Sequence, residues 1–174
     1  MKNPKIIFDF DSTVLKLETI EILADFALKK NKNKATILMQ IKKLTNESME
    51  GKLDFPTALN KRISLLNITQ QNILQSIDFL KDHFSESFKS NIKNLNKEDC
   101  FIISGGFKEI IIPLMIPFGF KKENIYANNF NFNSRGYAEI NTNNDLSKNQ
   151  GKNLAAKKIK GEKIIIGDGY TIMK

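Results

Sequence analysis

Three short apolar runs in this chain each end in a polar residue followed by turn chemistry. Ile6-Ile7-Phe8 ends at Asp9, Phe101-Ile102-Ile103 ends at Ser104 and two glycines, and Ile164-Ile165-Ile166 ends at Gly167-Asp168-Gly169. Continuous β-branched runs of this kind predict strands buried on both faces, as in a parallel sheet. A helical pattern follows the second run: Ile110, Ile111, Leu114 and Met115 share one face, and Pro113 and Pro117 disturb its end. Another helix is predicted near Lys152 to Ile159, just before the third run. Strands alternating with helices predict an α/β fold with a Rossmann-like parallel sheet.

Between the first and second strands the pattern is helical throughout. Leu17, Ile20, Leu23, Ala24, Ala27 and Leu28 recur at helical spacing, as do Ile37, Leu38, Ile41 and Leu44, and later Ala58, Leu59, Ile63 and Leu66. The polar segment 29–34 predicts a loop between helices, and Thr69 an N-cap for a helix over Gln70 to Leu80. Residues 15–79 are therefore expected to form a helical cap inserted into an α/β core of 1–14 and 80–174. Phe130 to Ile140 alternates around Ser134-Arg135-Gly136 and predicts a β-hairpin.

Composition narrows the chemistry. The 174 residues are 41% hydrophobic and 26% charged, which suits a globular protein with a sizeable core. No apolar run approaches the roughly 20 residues that span a bilayer. Acids arrive in MKNPKIIFDFD where a signal peptide would continue apolar, so a cytoplasmic protein is expected. The net charge is +8, but the lysines are scattered among acids and asparagines, with no basic stretch interleaved with aromatics. Neither a nucleic-acid nor a membrane partner is expected. Cys100, the sole cysteine, rules out an intrachain disulfide and reads as a core residue. His83, the sole histidine, rules out a histidine-rich metal site, so any metal here is expected to take oxygen ligands, as a hard ion such as magnesium does.

Ligands in open α/β sheets bind at the C-terminal strand ends, and all three runs place polar groups there. A carboxylate such as Asp9 can attack phosphorus to form an acyl-phosphate, and one two residues on, Asp11, can pass a proton to the leaving oxygen and take one from water. Read alone, Asp-x-Asp is more often an ordinary Asx turn, in which Asp caps its own backbone. The Ser104 hydroxyl and the N–H groups of Gly105-Gly106 suit a phosphoryl oxygen, or else form a tight turn and cap. Asp168 can join Asp9 and the Asp11 carbonyl around Mg²⁺. Lys152, near a helix start, can offset repulsion between Asp9 and a phosphate dianion, though by spacing alone it is one lysine among many.

The order Asp9-Phe10-Asp11-Ser12-Thr13, Ser104-Gly105-Gly106, Lys152, Gly167-Asp168-Gly169 resembles the four signature motifs of the haloacid-dehalogenase superfamily. Glu18, Met49-Glu50-Gly51-Lys52-Leu53-Asp54-Phe55, and Ala58-Leu59 with Arg62 and Leu65-Leu66 resemble the cap of its phosphoserine phosphatases. The resemblance covers about residues 5–174. It implies a Mg²⁺-dependent phosphomonoesterase that converts L-phosphoserine to serine and phosphate, the last step of serine synthesis. It also implies Asp9 as nucleophile, Asp11 as general acid/base, and Ser104, Gly105 and Lys152 as phosphate ligands. Asp9, Asp11 and Asp168 would hold the metal. Glu18 and Arg62 would take the substrate's amino and carboxylate groups, with Met49, Phe55 and Gly106 shaping the pocket.

Two positions depart from the family. Where it carries a further acid four residues after Asp168, this chain has Ile172, and the family continues past the point where this chain stops, Lys174. These departures lead to the expectation of an incomplete C-terminus and a weak or inactive enzyme. The alternative to a working phosphatase is a truncated or degenerate, non-catalytic protein of the same fold.

Overall fold

The computed structural model describes residues 3–167. Four strands, β1 (Lys5–Phe8), β2 (Cys100–Phe107), β3 (Ile125–Asn128) and β6 (Lys163–Ile166), form one parallel sheet in the order β3-β2-β1-β6. Alternation across the sheet explains their apolar runs. Phe8 and Ile102 join the larger core on one face, and Ile7 and Ile103 join a smaller core on the other. On that second face lies α7 (Gly151–Lys158), packing through Ala155 with Ile159 just beyond it.

Helices α1 (Thr19–Ala27), α2 (Lys34–Met49), α3 (Phe55–Leu66) and α4 (Gln70–Leu80) separate β1 from β2. α1 packs on α4 and α2 on α3. Thr69 caps α4 in a capping box with Asn72, and Asp54 caps α3 by accepting from Thr57 N. The segments before α1 and after α4 run side by side, where Leu15 bridges Phe84 antiparallel and Ser85 N donates to Val14 O at 2.8 Å. After β2 comes α6 (Lys108–Met115), which packs on α4 and β3. Strands β4 (Phe130–Phe132) and β5 (Ala138–Ile140) form the antiparallel hairpin expected from their alternation.

Four features differ from the sequence reading. β2 runs through Ser104-Gly105-Gly106 to Phe107 instead of ending at Ser104, with a bulge against β3. β3 and a short helix, α5 (Glu86–Asn91), were not expected; β3 has only the brief apolar run Ile125-Tyr126-Ala127 to signal it. β6 is not buried on both faces. It is the sheet edge among the described residues, and Ile164 and Ile166 remain 47% and 40% exposed on the face away from α7. Cys100 is buried and His83 stacks on Phe79, a structural setting for each. No helix among the described residues is long and apolar enough to cross a membrane.

Candidate active site

Parallel pairing brings the C-terminal ends of β1, β2, β3 and β6 to one edge of the sheet. A cavity of about 550 Å³ opens there, between that edge and α1–α3. Its walls include Asp9, Asp11, Glu18, Met49, Phe55, Arg62, Gly105, Gly106 and Lys152. Nine of the residues singled out from the sequence thus meet in one space, across 143 positions of chain between Asp9 and Lys152. Ser104 lies just beneath, fully buried. Asp168 and Ile172 lie outside the described residues.

Asp9 follows β1 directly and is nearly buried. Its Oδ1 accepts from Phe10 N at 2.8 Å, and its Oδ2 accepts from Lys152 Nζ at 2.6 Å. Charge-assisted contacts of this length hold a carboxylate in one orientation. Gly167 closes the other side, where an added Cβ would stand 3.2 Å from Asp9 Cβ.

Asp11 faces the first turn of α1. Its Oδ1 accepts from Thr19 N at 2.9 Å and its Oδ2 from Thr19 Oγ1 at 3.1 Å. Glu18, at the N-cap of α1, makes no side-chain cap bond, so Asp11 serves that helix end instead. Burial, and then the charge of Glu18, push the Asp11 carboxyl up from 3.8 to about 7, outweighing the Thr19 bonds that pull it down. The carboxyl is therefore poised to carry a proton near neutral pH, as a general acid requires.

Ser12 Oγ donates to Glu18 Oε1 at 2.6 Å from a left-handed backbone, φ 55°. Gln150, just before Gly151 and Lys152, is also left-handed at φ 56°. Outside glycine, such residues are uncommon and collect at functional sites. Gln150 lines this cavity, and Ser12 bonds to Glu18, which does too.

Arg62 is partly buried. Its Nε donates to Ala58 O at 3.3 Å and its Nη1 to Thr45 Oγ1 at 3.4 Å. Burial lowers its pKa below the usual arginine range and the Glu18 charge opposes that. Among the described residues it forms no ion pair, which leaves guanidinium donors for an anion. The Phe55 ring stands over Gly105: a Cβ there would meet Phe55 Cζ at 3.7 Å. Ser104 Oγ accepts from Gly106 N at 2.9 Å, tightening the turn.

The sequence reading missed Thr19, whose signal was a helix start with no capping side chain of its own. It also missed Thr45, Ser48, Lys148 and Gln150 in the cavity wall. The Asp9 and Asp11 carboxyls, both in the cavity wall, suit a hard cation in type, although no cluster of three metal-ligating side chains occurs among the described residues.

No family model matches the chain. The chloroplastic phosphoserine phosphatase of Arabidopsis thaliana is 32% identical over 95% of this chain and 56% of its own length. The phosphoserine phosphatase of Drosophila melanogaster is 31% identical over 95% of this chain and 62% of its own. The chain thus spans about three fifths of these curated relatives. Among solved structures, a phosphoserine phosphohydrolase-like protein from Francisella tularensis aligns with a TM-score of 0.81 at 32% identity, over 98% of this chain and 80% of that one. A phospho-aspartyl intermediate analogue of phosphoserine phosphatase aligns with a TM-score of 0.73 at 28% identity, over 98% and 80%.

Proposed function

The chain belongs to the phosphoserine phosphatase family of the haloacid-dehalogenase superfamily, and from that premise we propose that it hydrolyses L-phosphoserine to serine and phosphate through an aspartyl-phosphate on Asp9. The observation that carries this reading is the juxtaposition at Asp9. A nearly buried carboxylate is held by Lys152 at 2.6 Å, beside a second carboxyl, Asp11, whose pKa of about 7 suits proton transfer.

In this reading Asp9 Oδ attacks phosphorus and the P–O bond to serine breaks. Asp11 gives its proton to the leaving serine oxygen, then takes one from the water that attacks the aspartyl-phosphate, so the cycle returns both groups to their starting state. Lys152 and the N–H groups of the Ser104-Gly105-Gly106 turn offset the phosphoryl charge. Residues 15–79 act as a substrate-selecting cap. Within it, Glu18 takes the ammonium group and Arg62 the carboxylate, while Met49, Phe55 and Gly106 bound the pocket.

Magnesium fits the hard-oxygen donors. Asp9, the Asp11 carbonyl and Asp168 would hold it, and it would neutralise phosphoryl charge when bound. A cytoplasmic setting and a role in serine synthesis accompany this reading.

The test is release of inorganic phosphate from O-phospho-L-serine by the purified chain with Mg²⁺, beside a chelated control. Turnover that stops on chelation and returns with Mg²⁺ supports it. No turnover at micromolar protein and millimolar substrate would sink it.

A further inference from the structure

We propose that Asn128, at the end of β3, is a positioning residue that fixes the Ser104-Gly105-Gly106 turn for phosphate. The turn's role rests on the phosphatase reading; the contact that fixes the turn does not.

β2 spends four residue steps, Ile103 to Phe107, where β3 spends two, Tyr126 to Asn128. The extra length is the glycine turn, which stands out of the backbone ladder and needs another partner to hold its shape. Asn128 supplies one: its Nδ2 donates to Gly105 O at 2.9 Å. Reversing the amide would set two oxygens against each other, so this contact fixes its orientation. Asn128 is fully buried, and its Oδ1 has no hydrogen-bond partner among the described residues. A buried amide with half its capacity unused is a poor core residue, which points to a role for the half that is used.

The same strand end also registers Lys152. Asn144 Nδ2 donates to Ala127 O and to Asn129 Oδ1, each at 2.8 Å, and Asn144 Oδ1 accepts from Leu146 N at 2.9 Å. This ties the turn at Asp145–Ser147 to β3. Gly151 packs on that turn so closely that a Cβ would stand 2.4 Å from Asp145 O, and Lys152 follows directly. Residues 127–129 therefore set both phosphate-facing elements around Asp9.

Asn124 provides an internal comparator, because its Nδ2 donates to Cys100 O at 3.1 Å across the same two strands at their opposite end. Three measurements are made on the wild type, Asn128→Ala, Asn128→Asp and Asn124→Ala. They are the dissociation constant of inorganic phosphate by calorimetry, amide hydrogen exchange at Gly105 and Gly106 by NMR, and KM and kcat on O-phosphoserine. Both Asn128 variants are expected to weaken phosphate binding and raise KM about tenfold, and to speed exchange at the two glycines by a similar factor. Asn124→Ala is expected to lower the melting temperature and to leave phosphate affinity and glycine exchange unchanged.

Wild-type phosphate affinity and exchange in the Asn128 variants, or equal effects from Asn124→Ala, would overturn the proposal. So would failure of both Asn128 variants to fold, which would make the residue one of the core alone. Absence of phosphoserine turnover in the wild type would instead overturn the proposed activity, since glycine exchange reports on Asn128 without turnover.

Discussion

Asp11 links the site to stability in a way that pH exposes. Its carboxyl rises from 3.8 to about 7 in the folded chain, so between those values the folded state holds a proton that the unfolded state has released. The folded state then binds more protons, and stability falls as pH rises through this window. Each pH unit is worth about 1.4 kcal/mol, so the full rise would cost about 4 kcal/mol above pH 7. Asp11 retains some exposure to the cavity, and screening there reduces the figure to about 2–4 kcal/mol. Asp11→Asn removes the titration and keeps the shape. The amide oxygen still accepts from Thr19 N, and the amide nitrogen can donate to Thr19 Oγ1. The assay is urea unfolding of both proteins in chelator at pH 5 and 8.5, because a bound cation would draw the carboxyl down. The variant should gain on the wild type by about 2–3 kcal/mol between the two pH values while losing hydrolysis. Comparing the two proteins cancels groups they share, including Glu109, whose carboxyl burial also raises. A stability gap that stays constant with pH would refute the argument.

Three further substitutions probe the site. Asp9→Asn should abolish turnover and the trapped acyl-phosphate while the fold survives; retained turnover in a clean preparation would end the covalent mechanism. Arg62→Ala should lower kcat/KM for phosphoserine about 10- to 100-fold more than for an aryl phosphate, because a site built for a charged group leaves it unpaired otherwise. Equal losses on both substrates would make Arg62 structural. Gly151→Ala should lower stability by about 1–3 kcal/mol and reduce kcat/KM, since its Cβ would press on backbone at Asp145 and Leu146 and shift Lys152. Unchanged melting and kinetics would show that α7 accommodates the methyl group.

Much of the fold was legible because burial writes itself into the sequence. Ile7 and Ile103 face one core while Phe8 and Ile102 face the other, so both sides of each strand had to be apolar. α4 announced itself through Thr69 at its start, and the structure buries Ile73, Ser76 and Leu80 along one face of it. β3 escaped notice because Ile125-Tyr126-Ala127 is too short to separate from a loop, and its strand character comes from pairing with β2, where partners such as Ile102 and Ile125 lie 23 residues apart in the chain. β6 misled in the other direction. Its run Ile164-Ile165-Ile166 reads as doubly buried, yet among the described residues only the face carrying Ile165 packs against α7. An apolar run records what a strand can bury, and neighbours decide which of its faces are covered.

The site divides along the same line. Asp9, Asp11, Gly105 and Gly106 could be picked out because strand ends in a parallel sheet converge, and their chemistry stands against apolar flanks; Lys152, one lysine among many by spacing, stood out only through the family resemblance. Thr19 and Asn128 could not, because each acts through one tertiary hydrogen bond or a pair of them on a residue 8 or 23 positions away. Nothing local distinguishes Asn128 from Asn129 beside it, yet one is fully buried against Gly105 and the other accepts from Asn144. In a chain this rich in asparagine, composition hides the few that hold the backbone in place. The strand-end carboxylates were visible from their type and setting; the hydrogen bonds that fix the backbone around them become visible only once the strands are paired.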